Sequence, residues 1–239
     1  MIRKICCDTA MNFKPLNARK EYYMNEYLEN QLNKLVVYQQ LKDNCERNNQ
    51  HEVLALVAKI GIFAVERLKT VIKNMPEFTL HDDAHIFNML TIIGKLIPQE
   101  NMRKLSTPDL FMLIVSVFLH DIGMAPDEKH ILAWKNQLPE TEYDEELKEE
   151  REKFARFRLT YTHQLADIER LEAEQEFSKA QLLEDYIVTE YIRTTHSIRA
   201  REIIAKYWAG EIVYQDTDLT EDLATICFSH NESYTYLLQ

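Results

Sequence analysis

The chain has 239 residues, 46% of them hydrophobic, which is enough to build a buried core and excludes disorder over most of its length. Against 39 Asp and Glu stand 28 Lys and Arg, a formal charge of −11 that argues against a broad nucleic-acid-coating surface. Only four glycines and six prolines punctuate the chain, too few for the turns of a many-stranded sheet, so the fold class expected is all-α.

Residues 1–50 read as an N-terminal helical extension: 1–20 lack periodicity, and from Glu21 to Leu41 tyrosines, leucines and valines recur at helical spacing. Residues 51–239 read as one domain. Its first helix, His51 to Lys73, is apolar on most faces and therefore largely buried, and Asn74-Met75-Pro76 ends it. The next helix should span Asp82 to Leu96, with Thr79 or Asp82 as the cap and Ile97 pushed out of helical geometry by Pro98. Ser106-Thr107-Pro108-Asp109 is a strong start signal for a central helix whose stretch Leu110 to Leu119 is nearly all apolar. That stretch is too short to span a bilayer and has no basic flank, so no membrane is expected.

Asp127-Glu128-Lys129 reads as a turn and a helix start. Residues 140–185 are dense in Glu, Lys and Arg at spacings that put opposite charges on helix faces, and form a charged helical insertion. It is a solvated face in the plain reading and a contact arm for a protein partner in the other. From Tyr186 onward the apolar pattern returns, with Gly210 as a stop and a last helix from Thr220 to Phe228 ending in Ser229-His230. The four cysteines show no paired metal-ligand spacing and no apolar leader precedes them, so a reducing cytoplasm is the expected location.

The chemistry centres on LHDIGM, where His120 and Asp121 follow a wholly apolar helix and Gly123 allows the chain to turn. A buried aspartate beside a histidine is costly unless both are compensated, and a bound cation would compensate them. Three further strings bring histidines next to apolar helical segments: FTLHDDAHIFNML with His81 and His85 four residues apart, RTTHSIRAREII with His196, and ATICFSHNES with His230. Imidazole and carboxylate together suit Mn, Fe or Zn, or Mg with more oxygen ligands, and the spacing leaves the metal open.

The order His, then His-Asp, then two further histidines resembles the metal-dependent HD-domain phosphohydrolases, over residues 78–232 and interrupted by the charged insertion. The FTxHDxxH, LHDIGM and TH-x-x-R strings are similar to the HD regions of large multidomain bacterial proteins. The resemblance implies an HD-domain-like helical bundle holding one or two divalent ions, of Mn, Fe, Mg, Zn or Ni. It implies His85 as the first-helix ligand, His120 and Asp121 as the defining dyad with Asp121 able to bridge two metals, and His196 and His230 as ligands of a second metal. His81 is then a substrate contact or a neighbour of the ligands, and is interchangeable with His85.

Two departures accompany it. The family's further aspartate on a later helix has no counterpart after His230, so the expectation is a chain truncated at its C-terminus, with Asp216, Asp218 or Asp222 as substitutes only if folding brings one near. Met124 stands where many members carry lysine. Arg193 and Arg199, three residues either side of His196, read as phosphate-gripping catalytic groups beside Asp121, or equally as surface arginines pairing with Glu190 and Glu202. Lys129 and His130 are weaker cleft candidates. His163 reads as exposed, Cys227 as a small core residue, and Trp134 and Trp208 as packing residues. The implied activity is hydrolysis of a nucleotide or related phosphoester, a small one rather than long nucleic acid. The competing reading is an HD scaffold without turnover that serves as a regulatory or interaction module.

Overall fold

The computed structural model describes residues 18–74 and 83–231, and the side chains of 24–71 and 83–231. Apart from one two-stranded hairpin, their regular structure is helical, as the scarcity of turn residues requires. His81, the two cap candidates Thr79 and Asp82, and any residue following Asn231 lie outside the described residues.

The expected first helix divides into α1 (Ala18–Leu32) and α2 (Val36–Asn48). The break at residues 33–35 lets α1 pack on α3 (His51–Asn74) and α2 pack on α6 (Thr107–Leu119), two contacts that one straight rod could not make. Leu28, Leu32, Val37, Leu41 and Cys45 thereby join the same core cluster as α3 and α6. The α3 helix buries a stripe of Val53, Val57, Ile60, Ala64 and Leu68, spaced at three and four residues.

After α4 (Asp83–Leu96) and the single turn α5 (Gln99–Met102), α6 opens on a reciprocal capping box. The Asp109 amide donates to Ser106 Oγ at 3.4 Å, and the Ser106 amide donates to the Asp109 carboxylate at 2.9 Å. Leu110, Phe111, Ile114, Val115, Phe118 and Leu119 are buried, so α6 is the axis round which α2, α3, α4 and α11 (Thr220–Ser229) pack. The apolar stretch Thr107–Trp134 is long enough to cross a membrane by composition, but 67% of its most apolar window is buried inside the bundle.

The charged insertion forms α8 (Glu145–Arg158) and α9 (Thr162–Ala173) and runs on into α10 (Phe177–Trp208), after the short α7 (Glu128–Trp134). Only Leu147 and Phe154 of α8 and Ile168 and Leu171 of α9 are buried, as their composition requires. The continuous 32-residue α10 joins the insertion to His196. Gly210 ends this stretch at φ 72°, and a hairpin of β1 (Val213–Tyr214) and β2 (Thr217–Asp218) follows. Gln215 and Asp216 occupy the positive-φ positions of its two-residue loop, which the sequence signals poorly because Asn-Gly is the usual pair there. Because the capping box fixes the start of the central helix, Ser106→Ala should cost about 1 kcal/mol of stability, read from the midpoint of urea unfolding, without a change in fold by circular dichroism.

Candidate metal centre

The axis helix α6 ends by delivering His120 and then Asp121 into a 3₁₀ turn, Ile122–Met124. Asp121 has φ −99° and ψ 11°, the bridge geometry that lets a chain leave a helix sharply, and it is only 8% exposed. The turn packs directly on α10. A Cβ at Gly123 would lie 1.9 Å from the His196 carbonyl oxygen and 2.7 Å from the Ala200 nitrogen. The chain does turn at Gly123, but at ordinary φ, since among the described glycines only Gly210 has positive φ, so the glycine is needed for the close approach of two backbones.

Three other helices bring histidines to the same place. His85 comes from the first turn of α4, seated by buried Ile86 and Leu90 and by the Phe87 ring set edge-on to Phe118. His196 is buried in the middle of α10, and His230 caps the C-terminus of α11, which Leu223, Ala224 and Cys227 hold in the core. One oxygen of Asp121, Oδ2, lies 2.9 Å from His120 Nε2 and 3.8 Å from His85 Nε2. The other, Oδ1, lies 3.4 Å from both His196 Nε2 and His230 Nε2. The carboxylate thus offers one oxygen to each of two histidine pairs.

The backbone fixes the tautomers. The Nδ1–H of His120 donates to the Val117 carbonyl at 2.9 Å, that of His196 to Arg193 at 2.6 Å, and that of His230 to Cys227 at 2.5 Å. A carbonyl only accepts, so Nδ1 carries the proton in each ring, and in the neutral ring Nε2 presents a lone pair to Asp121. His196 Nε2 and His230 Nε2 are 2.8 Å apart. Two lone pairs and a carboxylate oxygen at such distances repel unless a proton or a cation lies among them.

A divalent cation fits this donor set. Ligand atoms sharing one ion at bonds of about 2.0–2.2 Å lie roughly 2.9–3.5 Å apart, close to the 2.8 and 3.4 Å of the Asp121, His196 and His230 group. A second group, His85, His120 and Asp121, also brings its ligand atoms within 4.8 Å of one another, and Asp121 is common to both. Burial pushes the Asp121 carboxyl up, yet the hydrogen bonds that His120, His196 and His230 donate when Nε2 carries a proton outweigh it and hold the group far below the ordinary carboxylate range, so it stays ionised. Burial works against protonation of His230, but Asp121 and the Cys227 carbonyl prevail and its pKa is raised.

The two arginines go elsewhere. Arg193 is at the surface, 3.0 Å from Glu190, one helical turn from His196. Arg199 is 8% exposed, and donates to the Gly123 carbonyl and to Thr195 Oγ1, both at 2.7 Å. It faces the back of the dyad turn, where a cavity of about 340 Å³ also contains His130. Met124 is buried at 2% and puts no polar group into the site. Asp216 and Asp222 are exposed, and Asp218 accepts from the Thr220 amide. Lys129 pairs with Glu142, and His163 is exposed. The Cys227 thiol is pushed up to about 12 by burial and by the Asp121 charge, which leaves it inert packing. Trp134 and Trp208 are buried among aromatic rings. Arg67, which sequence reasoning passed over as one cation of α3, donates to the Ala125 carbonyl at 3.0 Å and pairs with Asp127.

The family model described as HD-CE matches residues 75–239, a span that includes His85, His120, Asp121, His196 and His230. Comparison with curated proteins and with solved structures gives no match.

Two outcomes follow from this geometry. Gly123→Ala should cost at least about 2 kcal/mol in urea unfolding, because the added methyl meets helix backbone rather than a movable side chain. In chelator, the raised pKa of His230 adds stability that is full below the ordinary histidine value and is lost as pH rises through the raised one. With manganese the trend reverses, because the ion competes with that proton. Thermal melts of the wild type and His230→Gln at about pH 6 and about pH 8, with and without manganese, measure both slopes.

Proposed function

The chain belongs to the HD-CE family, and from that premise we propose that it is a metal-dependent phosphohydrolase acting on a nucleotide or another small phosphoester. The observation that carries this reading is the shared carboxylate: Asp121 Oδ2 faces His85 and His120 while Oδ1 faces His196 and His230. Structural histidine–carboxylate pairs are common, but a single buried carboxylate with four imidazoles from four helices has no packing rationale without a cation.

In such a site a bound divalent ion supplies Lewis acidity toward a phosphoryl oxygen and a more acidic water. The protein's own residues do the rest. His85, His120, His196 and His230 are the ligands with Asp121, and the carbonyls of Val117, Arg193 and Cys227 keep three of the rings in the tautomer that ligation needs. Arg193, exposed and one turn from His196, would leave Glu190 to grip a phosphate oxygen. The net charge of −11 favours a compact anion that can enter on one local cation over a long polyanion lying on the surface. The described cysteines, Cys45 and Cys227, are buried free thiols, in keeping with a cytoplasmic place of action.

One observation favours the alternative of a regulatory HD scaffold without turnover. Arg199 is committed to the Gly123 carbonyl and Met124 points into the core, so the expected phosphate-binding cations reduce to Arg193. In that reading the charged face of α8 and α9 is the contact arm for a protein partner.

Hydrolysis of a panel of nucleotides and a generic aryl phosphate, assayed with added manganese, iron, zinc, nickel or magnesium, decides between them. The wild type should turn over at least one substrate with a metal present, and Asp121→Ala should lower metal affinity by at least about 100-fold and abolish turnover. Stoichiometric metal binding without turnover of any substrate would favour the scaffold.

A further inference from the structure

Arg199 is a buried cation whose two hydrogen bonds both go to neutral acceptors, the Gly123 carbonyl and Thr195 Oγ1. Burying it lowers its pKa, with Glu150 the largest opposing influence. The cost of burying a guanidinium is substantial, and a fold that retains one without a direct carboxylate partner uses its geometry. The ring of Trp134 lies 5.2 Å from the guanidinium and that of Tyr191 6.0 Å, both within cation–π range.

The acceptor explains the need. Gly123 is buried in a 3₁₀ turn that follows the C-terminus of α6, where backbone carbonyls lack intrahelical partners and the helix dipole is negative. The amides of Met124 and Ala125 bond to Asp121 and Ile122, one turn back. The Gly123 carbonyl is instead bonded by a side chain of α10, the helix that carries His196. Thr195, the other anchor of the fork, is the residue immediately before His196. Arg67 repeats the device from α3, donating to Ala125 two residues further along the turn.

We propose that Arg199 is a positioning residue of the metal centre: by bridging the Gly123 carbonyl to Thr195, its guanidinium sets how closely the His120–Asp121 turn lies against His196. The proposal rests on the metal reading above for its consequence, though not for its geometry. Lysine cannot replace it, because an ammonium lacks two donors at a fixed separation. The ligand spacing of 3.4 Å between Asp121 and His196 is then set partly from behind the turn, by a residue that touches neither the metal nor the substrate.

The test compares Arg199→Lys, the near-isosteric Thr195→Val and Trp208→Leu, which creates a cavity farther along the same helix. Two readouts are taken: imidazole nitrogen NMR signals of His120 and His196 in the metal-free protein, and manganese affinity by equilibrium dialysis. Arg199→Lys should shift or broaden the Nε2 signals of His120 and His196, whose surroundings depend on the spacing of the turn and α10, and weaken manganese binding about 10–100-fold. Thr195→Val should do the same to a smaller degree, and Trp208→Leu should lower the melting temperature but leave both readouts at wild-type values. Wild-type signals and affinity in Arg199→Lys and Thr195→Val would overturn the proposal, as would equal losses in Trp208→Leu. Should the wild type bind no manganese, the metal reading fails by itself, and the imidazole signals still decide whether Arg199 positions the rings.

Discussion

A carboxylate buried among imidazoles organises this protein. Asp121 sits at the end of the most apolar helix of the chain, where an ionised group is tolerated only if its surroundings supply compensating positive charge. Four helices bring one histidine each to that carboxylate, and the four Nε2 atoms with its two oxygens form a donor set in which a cation would supply the charge. The hydrophobic core and the polar centre are therefore one design problem: α6 is both the axis of the bundle and the support of the dyad.

Around that centre the backbone does much of the chemical preparation. Each of three histidines finds the carbonyl three residues earlier in its own helix, so the helical repeat itself selects the tautomer. The close approach of the dyad turn to α10, possible only because Gly123 has no side chain, brings Asp121 to His196 without any intervening residue. Arg67 and Arg199 close the arrangement from the other side by bonding the carbonyls that such a sharp exit from a helix leaves over.

The charged insertion has a different relation to the site. Helices α8 and α9 bury few side chains and are laced by surface ion pairs, each worth little in water. Their connection to the centre is mechanical, through α10, whose first turns belong to the insertion and whose middle carries His196. Phe154 and Tyr191 pack the insertion onto Trp134 and thereby onto the stack beneath Arg199.

Much of this was legible in the sequence because it depends on local chemistry. Apolar periodicity marked α3 and α6, Ser106 with Asp109 marked a helix start, and the His120-Asp121 pair with His85, His196 and His230 beside apolar segments marked the residues that meet. The family resemblance supplied their order, and the HD-CE match bears out the family. What sequence could not decide is which faces meet. Arg199 and Arg193 are equivalent in a one-dimensional reading, three residues either side of His196, yet one is at the surface and the other is buried behind the dyad, because helix rotation relative to a partner fixes which side faces inward. The role of Gly123 was likewise hidden, since close approach involves a helix more than seventy residues away, whereas a turn is local. The sequence by itself determined the helical class and the core, through propensity and hydrophobic pattern, and marked the imidazole and carboxylate groups that converge. Only the tertiary structure decided that one carboxylate faces two histidine pairs and that Arg199 lies behind the dyad turn, because both depend on distances between helices that no local pattern encodes.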